Sequence, residues 1–165
     1  TTGIKQGVVK SQDEDQVVKI MASLNKGASL IASEVGVNAC TDITGFGLLG
    51  HLHEMMKASG LRAEIFVGNV PVIEAVWYCL EKGAIPGTRS NLRYLEEHLE
   101  PYCSMDWKVI LGDAQTSGGL LLSVPEEKVE SLLKKFEDGS FPQIIGRVSS
   151  GKPGKISIYE GKINF

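Results

Sequence analysis

ACTDITGFGLLGH, residues 39–51, carries Gly45, Gly47 and Gly50 in a Gly-x-Gly-x-x-Gly spacing between a short β-prone run and an apolar helical stripe. On pattern alone, such a turn lets the backbone approach a phosphate at a helix N-terminus. The flanking residues argue against the dinucleotide-binding version of that turn. There the incoming strand is a buried apolar run, whereas here it reads Asn38-Ala39-Cys40-Thr41-Asp42, and Asp42 would set a full negative charge beside the phosphates. The acidic residue expected about 20 positions further on would be Glu64, inside a strand. A cation between Asp42 and the phosphates removes the conflict, because Mg²⁺ commonly takes one or two carboxylates together with phosphate oxygens. Asp42 is therefore the candidate metal ligand, and Thr44, Gly45 and Gly47 are the candidate nucleotide-binding residues. A simpler alternative stays open: Asp42 and Thr44 cap the next helix, and the glycines only permit close packing.

On either side of this segment the hydrophobic spacing alternates between helical and strand periods. Leu48, Leu52, Met55 and Met56 predict a helix ending near Gly60, and Leu61, Ala63, Ile65 and Val67 then alternate as a half-buried strand. Upstream, Ser11 and Glu14 have the spacing of a capping box, followed by Val17, Met21, Leu24, Ala28 and Ile31. That predicts one helix to about Ser33, with a kink site at Asn25–Gly27, and then a strand over residues 37–43. Downstream, Pro71 opens a helix with Val72, Val76 and Leu80, GAIPGTRSN (83–91) reads as a loop, and residues 91–99 read as a helix. Residues 107–111 are ambiguous. After the polar GDAQTSGG (112–119), LLLSV (120–124) is a strand, and Pro125 begins a helix with Val129, Leu132, Leu133 and Phe136 on one face. Residues 143–148 and 155–159 read as two strands around the turn SSGKPG, which lacks P-loop spacing. The expectation is an α/β (α+β) fold: a three-layer domain with a mixed sheet covered by helices, the Ser11 and Pro125 helices among them.

Composition bounds the function. With 165 residues, 42% hydrophobic and 22% charged, the chain can bury a core without disulfide or metal staples. No apolar run approaches the ~20 residues needed to cross a bilayer, so no membrane role is expected. A net charge of −3 with interspersed signs gives no general attraction for nucleic acid. Cys40, Cys79 and Cys103 are odd in number and form no Cys-x-x-Cys pair, which points to reduced thiols and the cytoplasm. The chain starts at Thr1, which suggests part of a longer protein.

TDITGFGLLGHL (41–52) together with DAQTSGGLL (113–121) resembles the C-terminal half of the selenophosphate synthetases, the selenide, water dikinases. SLNKGAS (23–29) and IPGTRSN (85–91) add weaker support, so the resemblance covers nearly the whole chain, 1–165 being one AIR-synthetase-related C-terminal domain. It implies an enzyme that makes selenophosphate from selenide, ATP and water, releasing AMP and phosphate, with Mg²⁺ as cofactor and a homodimer when complete. It further implies an N-terminal domain, absent here, that bears the reactive Cys or selenocysteine, a Lys and most of the metal-binding aspartates. No catalytic residue is then expected within this chain, which alone should be inactive, and Asp42 matches the family's metal-binding aspartate. The alternative is a non-catalytic nucleotide-binding or partner-interaction module of the same fold.

Other chemistry-bearing residues have simpler readings. His51 and His53 lie about 200° apart on a helix, cannot share one ion, and are expected in surface or capping roles. Cys40 is expected as a core thiol. Asp113, Gln115, Thr116 and Ser117 suit a turn as well as a nucleotide-facing loop, and Arg89, expected just before a helix, suits solvent as well as a phosphate clamp.

Overall fold

The computed structural model describes residues 1–84, 88–136 and 142–163. The Ile85-Pro86-Gly87 part of the expected 83–91 loop lies outside these. Helices α1 (Thr2–Lys5), α2 (Ser11–Ala22) and α3 (Lys26–Val35) precede strand β1 (Ala39–Asp42), which leads through the glycine turn into α4 (Gly47–Ser59). Then come β2 (Arg62–Phe66), α5 (Ala75–Glu81), α6 (Thr88–Leu95), β3 (Leu99–Tyr102), α7 (Met105–Leu111), β4 (Leu120–Ser123), α8 (Val129–Leu133), β5 (Gly146–Ser149) and β6 (Ile156–Tyr159).

The fold is mixed α/β, with its strands divided between two sheets. β1 pairs antiparallel with β4, Asp42 opposite Leu120, and a second, mixed sheet runs β3-β6-β2-β5. One continuous core joins them: Leu49, Leu52 and Met56 of α4 meet Ala63 and Ile65 of β2, Ile156 and Ile158 of β6, and Leu95, Leu99, Leu111 and Leu121. α4 thus spans from the β1 turn to the larger sheet, and its buried stripe fixes where the turn sits.

The predicted helix over 11–33 is two helices. Ser23 leaves helical geometry at ψ 132°, and the Asn25 side-chain amide donates instead to the distant Gly118 carbonyl at 2.9 Å. The Ser11 capping box does not form; Lys10 is the N-cap, and its carbonyl accepts from the Asp13 and Glu14 amides. Nor is the expected stripe fully buried against a sheet: Val17 and Met21 are half-buried, Leu24 is 83% exposed, and α2 fully buries no residue. The helix expected over 91–99 runs instead over Thr88–Leu95, and a 3₁₀ turn then delivers β3, a strand hidden from the sequence by Pro101. Proline is tolerated there because β3 is an edge strand.

The remaining differences are local. Residues 107–111 are helical, the Pro71 helix begins only at Ala75, and the Pro125 helix is a 3₁₀ turn plus the short α8. β5 and β6 do not form a hairpin, because β2 lies between them and the SSGKPG segment crosses its end, where the Gly154 amide bonds to the Leu61 carbonyl at 2.9 Å.

Candidate functional site

β1 alternates in exposure, which turns Cys40 and Asp42 outward and Ala39 and Thr41 toward the body of the domain. Cys40, expected in the core, is therefore exposed as a residue, and the partial burial of its thiol, followed by the Asp42 charge, pushes its pKa up, away from nucleophilic reactivity. The Asp42 carboxylate stands at the exposed end of β1 and makes no hydrogen bond or ion pair among the described residues. It does not cap α4. The N-cap position belongs to Phe46, which makes no side-chain cap bond, so the capping reading of Asp42 and Thr44 is not the arrangement found.

Two loops far apart in sequence are stitched together directly after Asp42. The Ile43 amide donates to the Gly119 carbonyl and the Gly118 amide to the Ile43 carbonyl, both at 3.0 Å, extending the β1–β4 ladder. Next, the Thr44 carbonyl accepts from both Gly47 and Gln115 amides at 3.0 Å. Asn91 of α6 closes the junction, its side-chain amide donating to the carbonyls of Gly45 at 3.0 Å and Gly112 at 2.9 Å. Ser117 takes a left-handed φ of 56°, an uncommon value for a non-glycine residue, within the second loop.

The two turn glycines have different reasons to exist. Gly47 has φ +67°, and a Cβ there would lie 2.7 Å from the Asp113 carbonyl oxygen, so both backbone shape and packing demand glycine. Gly45 is exposed, has no left-handed φ, and a Cβ there would meet nothing within 4 Å. Among the described residues nothing requires glycine at position 45.

Thr44 is less available than the motif suggests. Its backbone N–H donates to His51 Nε2 at 3.1 Å, and its hydroxyl lies 3.1 Å from the same nitrogen. The turn amides that make no hydrogen bond among the described residues are those of Gly45 and Phe46. Asp113 sits behind the junction, half-buried, with the Thr88 hydroxyl donating to Oδ1 at 3.3 Å and the Gln115 side-chain amide 3.5 Å from Oδ2. Burial pushes the Asp113 carboxyl above the usual range, offset in part by the Thr88 hydrogen bond.

Asn91 was legible only as a loop polar residue, and nothing in its sequence neighbourhood signals two carbonyl acceptors from different loops. Arg89 is the second residue of α6 and is exposed, rather than preceding the helix. His51 is half-buried and accepts from the Thr44 amide, two residues before the α4 N-cap, rather than capping a helix amide. His53 is fully buried, Nδ1 2.8 Å from the Gly154 carbonyl oxygen, because the apolar face of α4 extends across it.

For a divalent cation, the described residues hold no cluster of three His, Cys, Asp or Glu groups, so Asp42 belongs to no such cluster. That suits Mg²⁺, which keeps several waters and takes phosphate oxygens beside one or two carboxylates. Among the described residues no helix is long and apolar enough to cross a membrane.

Residues 4–158 match the family described as AIR synthase related protein, C-terminal domain. The chain is 43% identical over 162 residues to the selenide, water dikinase of Carboxydothermus hydrogenoformans, the match covering 96% of this chain and 47% of that protein. It is 41% identical to that of Myxococcus xanthus over 93% of this chain and 46% of that protein. The chain spans about half the length of the curated relatives it matches. Among solved structures it resembles hydrogenase maturation protein HypE in complex with ATP, with a TM-score of 0.56 at 24% identity over 84% of this chain and 37% of that one, a likeness of fold.

Proposed function

We propose, from the premise that this chain belongs to the AIR synthase related protein C-terminal domain family, that it is the C-terminal half of a selenide, water dikinase. In this reading the complete enzyme transfers one phosphoryl group of ATP to selenide and another to water, forming selenophosphate and releasing AMP and phosphate, in the cytoplasm and as a homodimer. The identity to selenide, water dikinases along nearly the full chain supports the activity, and the two stitched loops support the place where it happens.

The single observation that carries the site is the contrast at the turn. An unpartnered Asp42 carboxylate stands a few residues before Gly45, a glycine with no internal reason and with its amide open. A glycine whose side of the chain is empty admits close approach of a ligand to the backbone. Asp42 would hold Mg²⁺, which when bound neutralises phosphate charge. The open amides of Gly45 and Phe46 would bind phosphate oxygens, while Gly47 and Asn91 hold the turn in shape. Phosphoryl transfer needs several positioned charges at once, so the reactive thiol or selenol, the Lys and the remaining aspartates are assigned to the upstream half of the polypeptide. An apolar cleft of about 1550 Å³, whose lining includes Ile4, Val9, Val17, Ile20, Ile43 and Ile65, supports a covering partner for the N-terminal helices.

The test is Asp42→Asn in the complete polypeptide. Its thermal unfolding should match wild type, because the carboxylate supports no contact in the fold. ATP turnover at limiting Mg²⁺ should fall by about 10- to 100-fold and recover in part at high Mg²⁺. Unchanged turnover at limiting Mg²⁺ removes Asp42 from the metal site.

A further inference from the structure

The imidazole of His51 holds the glycine turn from α4, as the Asn91 side chain does from α6. It lies on the second turn of α4 and reaches back seven residues, over the N-cap, to Thr44. Helix α4 has no side-chain N-cap, and this back-bond is made two residues before its N-cap, Phe46. The Phe46 ring packs against it, centroids 5.7 Å apart, so the imidazole is also fixed laterally.

The donor and acceptor roles follow from one fact: a backbone N–H can only donate. His51 Nε2 therefore carries a lone pair, and the neutral ring holds its proton on Nδ1. The Thr44 hydroxyl, 3.1 Å from the same nitrogen, donates toward it as well. Meanwhile the Thr44 carbonyl accepts from Gly47 and Gln115. Thr44 is thus the node at which the two loops meet, and His51 fixes the orientation of its peptide plane. The next peptide carries the open Gly45 amide.

We infer that His51 is a positioning residue for phosphate binding: its Nε2, by occupying the Thr44 amide and hydroxyl, withdraws Thr44 from the ligand and aims the Gly45 and Phe46 amides at it. The inference rests on the function proposed above. It reassigns Thr44, which the motif places among the ligand-binding residues, to the supporting frame. It also explains why a residue in the second helical turn belongs to the chemistry of a loop it only reaches through its side chain.

Two variants separate holding from mere packing. His51→Phe keeps a ring beside Phe46 but has no acceptor, whereas the carbonyl of His51→Gln reaches about as far as Nε2 and can accept from the Thr44 amide. Selective ¹⁵N-histidine NMR of this chain should show His51 in the Nδ1–H form at mildly alkaline pH. Hydrogen exchange of the Thr44 amide should quicken by about tenfold in His51→Phe and return to wild-type rates in His51→Gln. In the complete polypeptide the KM for Mg-ATP should rise about tenfold in His51→Phe and be restored by Gln, with thermal unfolding similar in both variants. An Nε2–H tautomer, Thr44 exchange unaffected by Phe, a Gln variant as impaired as Phe, or an unchanged KM each overturns the inference. A wild-type complete polypeptide that does not turn over ATP overturns the functional reading instead, and the NMR arm then decides the His51 contact by itself.

Discussion

The loop junction around Thr44 and the helix α2 are made in opposite ways. The junction has almost no regular secondary structure, yet backbone hydrogen bonds from Ile43, Gly47, Gln115 and Gly118 and two from the Asn91 side chain hold it, with the Gly45 and Phe46 amides left open among the described residues. Helix α2 has acidic residues in its first turn, Lys19 in its last and an apolar stripe at helical spacing, and it buries nothing. Its neighbour α3 buries only Ala32 and is moored by polar contacts, Lys135 to Glu34 at 2.7 Å and Lys128 to the Gly36 carbonyl at 3.0 Å. Local helical preference and global stabilisation are separate properties. The first is visible in spacing, and the second depends on what lies across from the stripe.

The largest expected effect sharpens that contrast inside the junction itself. Gly47→Ala places a methyl group 2.7 Å from the Asp113 carbonyl oxygen at a φ that L-residues avoid, and should cost roughly 2–4 kcal/mol. Gly45→Ala, two residues away in the same motif, should change stability by less than about 0.5 kcal/mol, because its Cβ enters open space. Urea unfolding of the two variants checks both statements. Equal losses would mean that the turn is not held against the Gly112–Asp113 backbone as described.

A smaller effect concerns the other end of α4, where the packed region has an acid-sensitive seam. His53 and His98 rings lie 4.2 Å apart between centroids, and His53 Nε2 and His98 Nδ1 are buried without a hydrogen-bond partner among the described residues. Burial, then the His53, Lys152 and Lys57 charges, lower the His98 pKa, with Glu97 opposing. A lowered folded-state value means that folding favours the neutral ring. The stability is therefore complete above the unfolded histidine range, near 6.5, and is lost as pH falls through that range toward the lower folded value. Denaturant midpoints at about pH 7.5 and 5.5 should fall further for wild type than for His98→Gln. Parallel losses would show that this seam does not contribute to acid sensitivity.

How much of this was legible follows from the range of each signal. β1, α4, β2 and β4 were readable because period and glycine punctuation are local, and the Asp42 and glycine candidates came from one contiguous motif. The two-sheet division, the insertion of β2 between β5 and β6, and the burial of His53 depend on partners far away in sequence, such as Gly154 for His53. Cys40 was misplaced for a related reason: its residue type favours burial, but the β1 pleat that seats Thr41 inward sends Cys40 out. At Thr44 no spacing rule shows what the structure adds, that the amide and hydroxyl face the Nε2 of a histidine seven residues on.

The smallest expected effect bears on the other half of the comparison. Val18→Ser with Ile20→Ser removes two apolar side chains from α2 that are already 50% and 44% exposed. In this chain the pair should alter unfolding free energy by no more than about 0.5 kcal/mol, the usual range for surface positions. If the upstream half of the polypeptide covers α2, the same double variant in the complete protein should cost roughly 1–3 kcal/mol, the scale of burying one or two such side chains. Unfolding both proteins side by side separates the cases. A large loss in the short chain would show that Val18 and Ile20 pack on their own domain, and equal small losses in both would show that these two side chains have no partner in the upstream half.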